Sequence, residues 1–126
     1  MQVKIDTKEK FHVITVTDPS LTADMSDNIN DTLIPYLQND VPNIILNLEE
    51  VQHIDNQTAE LLVKIQQKFY EAGCSLVVCA LGDKLENFLD NLNLLEMMNV
   101  TPTTSEAGDI VLMEEIEREL MQGDDL

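Results

Sequence analysis

IILNLEEVQHIDNQTAELLVKIQQKFYEA, residues 44–72, changes its periodicity halfway along. Ile44-Ile45-Leu46-Asn47-Leu48 is an apolar run with β-branched residues, which reads as a buried strand. Ala59, Leu62, Ile65 and Phe69 then recur at three- and four-residue spacing, the apolar stripe of a helix. Between them lies Val51-Gln52-His53-Ile54-Asp55-Asn56-Gln57-Thr58. Asp55 or Asn56 can cap the first turn, because a short side-chain oxygen accepts from the orphan N–H groups there. A buried strand that breaks into a capped helix brings N–H donors and polar side chains to one edge of a sheet. Open α/β sheets commonly bind at that edge.

Working outward, Phe11 to Thr17 reads as another strand. His12, Ile14 and Val16 share one face and Phe11, Val13 and Thr15 the other. Val3-Lys4-Ile5-Asp6 reads as a short edge strand, guarded by lysines. Asp18-Pro19-Ser20 ends the second strand. Thr22 or Asp24 can cap a helix to about Asn39, with Met25, Ile29, Leu33 and Leu37 along one side. Pro35 removes an N–H from that helix, so a kink or an early end is expected near Leu33-Ile34.

Downstream, Gly73 is placed to end the central helix in a left-handed conformation. Ser75–Leu81 reads as a buried strand. Asp83 can cap a helix to about Leu92, with Leu85, Phe88, Leu89 and Leu92 inward. Val100-Thr101 is a candidate last strand. Thr103 and Glu106 have capping-box spacing. A final helix is expected to about Met121, with Ala107, Ile110, Met113 or Val111, Ile116 and Leu120 inward and Gly108 weakening its first turn. A frayed acidic tail is expected from about residue 122.

Strands and helices alternate, which predicts parallel crossovers and a mostly parallel, mixed sheet of about four or five strands in an α/β fold. Crossovers that advance in one direction place their helices mainly on one face. The other face is then expected to be only partly covered, by terminal segments or a partner. Residues 1–126 read as a single domain.

The net charge is −17, with 44% apolar residues. The apolar share suits a globular core. The charge repels phosphate backbones and anionic membranes, so neither nucleic-acid binding nor membrane insertion is expected. The start of the chain does not read as a signal peptide, and a cytoplasmic location is the expectation. Cys74 and Cys79 flank one strand too far apart for a disulfide, and read as ordinary cysteines.

Catalytic chemistry is hard to find. His12 and His53 are isolated, no glycine-rich phosphate loop exists, and Glu114, Glu115, Glu117 and Glu119 read as a solvated helix face rather than a cation site. No enzyme activity, cofactor or metal is expected. What remains is an edge made of three loops, Asp18–Ala23, Val51–Thr58 and Ala80–Lys84. Beside it, Gln57, Leu61, Lys64 and Lys68 form a stripe on the central helix. Asp55, Asn56, Gln57, Thr58, Leu61, Lys64 and Lys68 are the candidate partner-binding residues, a docking role implied mainly by a family resemblance and not by their polarity. The alternatives are turn chemistry for the loops, a solubilising pair for the lysines and an ordinary exposed leucine for Leu61.

The order of an apolar strand, Ile54-Asp55 and an amphipathic helix from Asn56 resembles the STAS domain of bacterial anti-sigma factor antagonists. The resemblance runs on through Gly73–Ala80 and Leu85–Met98 and covers roughly residues 11–120. It implies the same small mixed sheet, a role in transcription regulation, and a protein partner such as an anti-sigma factor or a switch-type serine kinase. A homo-oligomer is also compatible with it. The family's Ser-Ser-Gly is replaced here by Asn56-Gln57-Thr58. The family's phosphorylatable serine aligns with Gln57, which has no hydroxyl, and Thr58 is the candidate substitute. A phosphorylation-independent scaffold or transport-system subunit is the second reading, and a small nucleotide-binding enzyme the third.

Overall fold

The computed structural model describes residues 1–123; the tail expected from about residue 122 begins later, since the last helix runs to Gly123, and its residues 124–126 lie outside the described residues. Its main sheet has five strands in the order β1-β2-β4-β6-β7. These are β1 (Val3–Thr7), β2 (His12–Val16), β4 (Ile44–Asn47), β6 (Leu76–Cys79) and β7 (Val100–Thr101). Only the β1–β2 pair is antiparallel within this sheet. The helices are α1 (Ser26–Leu33), α2 (Asn56–Glu71), α3 (Asp83–Asn91) and α4 (Thr104–Gly123).

The pleat sorts the side chains into two cores. Ile14, Leu46 and Val78 lie in register across β2, β4 and β6. They pack with Ile29 and Leu33 of α1, Leu62, Ile65 and Phe69 of α2, and Leu85 and Leu89 of α3. Val13, Ile45 and Val77, one residue earlier on each strand, point the other way and meet Ala107 and Val111 of α4. Three helices therefore share one face, as the crossover argument requires, and the last helix covers part of the other.

Local chemistry explains most element ends. Pro35 ends α1 at Leu33, and the chain continues as a 3-10 turn over Ile34–Gln38. Gly73, at φ +74°, closes α2: the Gly73 N–H donates to Tyr70 O and the Cys74 N–H to Phe69 O. This paired arrangement is a Schellman motif, in which only glycine adopts the left-handed backbone at little cost. The Glu106 N–H donates to Thr103 Oγ1 at 3.1 Å, one half of the expected capping box.

Several expectations require correction. Asp83 is the first residue of α3 rather than its cap, which is Gly82. Its carboxylate then faces the positive end of the helix dipole instead of an N–H group. Neither Thr22 nor Asp24 caps a backbone N–H; Thr22 donates its hydroxyl to the Asp24 carboxylate. Met113, Ile116 and Leu120 are exposed, so the inward stripe of α4 stops at Val111. Gly108 does more than loosen α4. A Cβ there would stand 3.1 Å from Phe11 Cζ, so its bareness lets the helix approach that ring.

A candidate functional site at the start of α2

The C-terminal ends of β2, β4 and β6 deliver the three expected loops to one edge. Two of these loops pair with each other, a feature the sequence pattern does not reveal. β3 (Ser20–Leu21) and β5 (His53–Ile54) form a two-stranded parallel sheet of their own. Pro19 O accepts from the Gln52 and His53 N–H groups at 2.8 and 3.1 Å, and Leu21 O accepts from the Asp55 N–H at 3.2 Å. The loop edge is thus fixed by backbone hydrogen bonds.

Asp55 completes the lock. Its Oδ1 accepts from the Thr58 N–H at 2.9 Å, which caps α2. Its Oδ2 accepts from the Ala23 N–H at 2.8 Å, across 32 residues of chain. One carboxylate therefore serves both α2 and the 3-10 turn over Ala23–Met25 that leads into α1, which is why Thr22 and Asp24 are not needed as caps. The Thr58 side chain, the Thr58 N–H and the Ala23 N–H lower the Asp55 pKa below its ordinary value of 3.8, against opposing desolvation. The two N–H bonds are the well-formed contacts, since the Thr58 hydroxyl has no aligned partner.

The candidate residues separate by exposure. Asn56 and Gln57 are exposed on the first turn of α2, next to the half-buried Asp55. Thr58 is 0% exposed, its hydroxyl turned into the protein. Leu61 is half-buried and packs on the main core, so only part of it faces outward. Lys64 and Lys68 are exposed, and neither has an ion-pair partner among the described residues. At 1.5 Å rise per residue, Gln57 and Lys64 lie about 10 Å apart along one side of α2.

A shallow groove of about 130 Å³ adjoins this edge, lined by Gln52, His53, Ile54, Lys84, Leu85 and Phe88. It is too small for a drug-sized ligand, which needs about 300 Å³ or more. Lys84 and the half-exposed Phe88 extend the candidate surface beyond the residues that sequence spacing selects. Only the pairing of Val51–Thr58 with Asp18–Ala23, and the packing of α3 beside them, brings these side chains near the start of α2.

The other singled-out groups have structural surroundings of their own, although His12 Nε2 and Glu115 Oε2 are buried without a hydrogen-bond partner among the described residues. His12 is buried in β2, with Nδ1 3.0 Å from Thr7 Oγ1 and its ring 4.9 Å from that of Tyr36. His53 is exposed. Cys74 and Cys79 are free and buried, and burial pushes the Cys79 thiol up to about 11. A buried thiol kept protonated is a poor nucleophile. Glu115 pairs with Lys10 at 3.6 Å and Glu114 accepts from Asn99 Nδ2 at 3.3 Å, so these carboxylates serve different neighbours. No helix among the described residues is long and apolar enough to cross a membrane.

A small mixed sheet with three helices on one face and a hydrogen-bonded loop edge at the start of the central helix is the arrangement that the STAS resemblance implies. The sequence matches the family model of the STAS domain over residues 2–107, and the chain belongs to that family. No curated protein matches it. An anti-sigma factor antagonist from Mycobacterium paratuberculosis is 14% identical with a TM-score of 0.74, covering 87% of this chain and 92% of that one. An anti-sigma factor antagonist (STAS) domain protein from Planctomyces limnophilus is 19% identical with a TM-score of 0.72, covering 89% and 97%. The murine anion transporter Solute Carrier 26 family member A9 is 15% identical with a TM-score of 0.68, covering 82% of this chain and 18% of the transporter. At these identities the likeness is one of fold.

Proposed function

We propose that the chain is a non-catalytic regulatory domain of the cytoplasm. It binds a protein partner, an anti-sigma factor or a switch-type serine kinase, through the edge at the start of α2. It remains competent to bind because the usual serine switch is missing. The observation that carries this reading is the contrast between two neighbours: Gln57 is exposed on the first turn, and Thr58 is 0% exposed. Gln57 stands where the family resemblance aligns the phosphorylatable serine. It is neutral and cannot accept a phosphate, so the surface keeps the charge of the unmodified state. A phosphate on Thr58 would require the capped turn to open, with loss of the Asp55 hydrogen bonds. The kinetic contribution of the edge is assigned to Lys64 and Lys68, two of only seven basic residues in the chain.

The test uses the switch-type kinase or anti-sigma factor encoded by the same host, with ATP present. The expected result is a complex without any gain of phosphate by intact-mass analysis. In Lys64→Glu/Lys68→Glu the fold should be unchanged, since exposed charges contribute about 0–1 kcal/mol. Association should slow, with an altered salt dependence. Phosphate mapped to Thr58, or association kinetics unchanged in the double variant, would contradict the proposal.

The second reading, a STAS scaffold or transport-system subunit, has support in the likeness to part of a murine anion transporter. Recovery of transport subunits from native cells, in place of a kinase or anti-sigma factor, would favour it.

A further inference from the structure

Helix α4 has two apolar faces, and only one is covered. Ala107 and Val111 are fully buried against the sheet. Leu112, Met113, Ile116 and Leu120 are 40%, 55%, 55% and 65% exposed. At about 100° per residue these four occupy a single arc of about 100°, centred opposite Ala107 and Val111. Large side chains contiguous on an exposed helix face mark an interaction surface, whereas scattered ones do not. The same spacing places Glu119 along one margin of the arc and Glu117 along the other, with Asp109 at its N-terminal end.

Charge decides the occupant. Residues 104–123 contain six carboxylates and one arginine. A second copy of this chain, laid helix against helix, would set carboxylates against carboxylates and bring together two molecules that each carry a net charge of −17. An anionic lipid surface is repelled for the same reason. An amphipathic helix with apolar residues at three- and four-residue spacing, flanked by Lys or Arg, satisfies both the stripe and its margins. We propose that the outward face of α4 (Leu112, Met113, Ile116 and Leu120 with Glu117 and Glu119) docks a basic amphipathic helix of another protein. This face lies across the sheet from α2. Docking on α4 does not depend on the α2 reading; the adaptor arrangement, with one partner at the α2 edge and a second on α4 at the same time, rests on it.

The test is a titration of the full chain with a synthetic helical peptide carrying leucines on one face and lysines at its margins. A scrambled peptide of the same composition and a Glu-for-Lys counterpart serve as probes of pattern and charge. The expected result is saturable binding of the patterned basic peptide alone, with amide shifts confined to α4. Ile116→Ser/Leu120→Ser should weaken binding about tenfold or more. Glu117→Gln/Glu119→Gln should reduce its salt dependence. Lys64→Glu/Lys68→Glu should leave it unchanged, which separates this surface from the α2 edge. Equal binding of the scrambled peptide, or no effect of the serine variant, would overturn the proposal. So would self-association that the serine variant abolishes, since the occupant would then be a second copy. If the serine variant fails to fold, the glutamine variant decides, and an unchanged salt dependence refutes the proposal.

Discussion

Asp55 connects two helices that sequence spacing treats as separate. A cap residue satisfies one orphan N–H; this one satisfies two, on segments 32 residues apart. Asp55→Ala leaves both the Thr58 and Ala23 N–H groups without their acceptor. The expected cost is about 2 kcal/mol, the upper end of the range for cap removal. Asp55→Asn should cost less, because one amide oxygen still accepts while the NH2 group opposes the second donor. The pH dependence follows from the direction of the shift. The folded-state pKa lies below 3.8, so the stabilisation is complete above the unfolded value and is lost as pH falls through the folded one. Urea denaturation of wild type and Asp55→Ala between neutral pH and about pH 3 should show their difference narrowing in acid. A constant difference would mean the carboxylate's charge contributes nothing.

At the scale of the element, α2 is the piece on which both core and edge depend. Its inward stripe ends in Phe69, 0% exposed, close to the Schellman turn that closes the helix. Phe69→Ala should destabilise the protein by about 3–5 kcal/mol, since a full aromatic ring leaves a cavity that the sheet cannot collapse to fill. Chemical denaturation measures this directly, and a loss under about 1 kcal/mol would contradict the burial. Helix α4 obeys a different logic. Its early turns are tied down by Thr103, by Ala107 and by the close approach of Gly108 to Phe11, while its later turns present apolar side chains outward. A helix with one apolar face covered and the other open has the pattern of an element awaiting a partner.

For the molecule as a whole, charge is the dominant feature. Two ion pairs form among the described residues, Lys8–Asp6 and Lys10–Glu115, against a net charge of −17. Self-repulsion of that size favours the expanded state, and salt screens it over a Debye length of about 10 Å at 0.1 M. Thermal melts from about 0.01 M to 0.5 M potassium chloride should therefore show Tm rising by roughly 4 °C or more, about 1 kcal/mol for a domain of this size. A flat or falling Tm would show that repulsion is not a significant term. The same field would draw basic partners to α4 and sharpen the contrast of Lys64 and Lys68 on α2.

Much of this architecture was legible from residues 44–72 and their neighbours. Periodicity is a local property, so Ile44–Leu48 announces a buried strand and Ala59, Leu62, Ile65 and Phe69 a helix. Pro35 and Gly73 act through their own backbone torsions, and both end their helices where expected. Gln57 and its missing hydroxyl are likewise plain in the sequence. What depends on distant segments was not legible. The β3–β5 pairing rests on two-residue strands too short to carry a periodic signal. The choice of Asp55 over Thr22 or Asp24 as the cap for the turn at Ala23 required the loops to meet. Ile116 and Leu120 lie on the opposite side of α4 from Ala107, so the helix carries two apolar faces, and spacing alone cannot tell a covered face from an open one. Only the packing of α4 on the sheet decides that, because burial depends on which surface is opposite, and the sequence of the helix does not contain its neighbour.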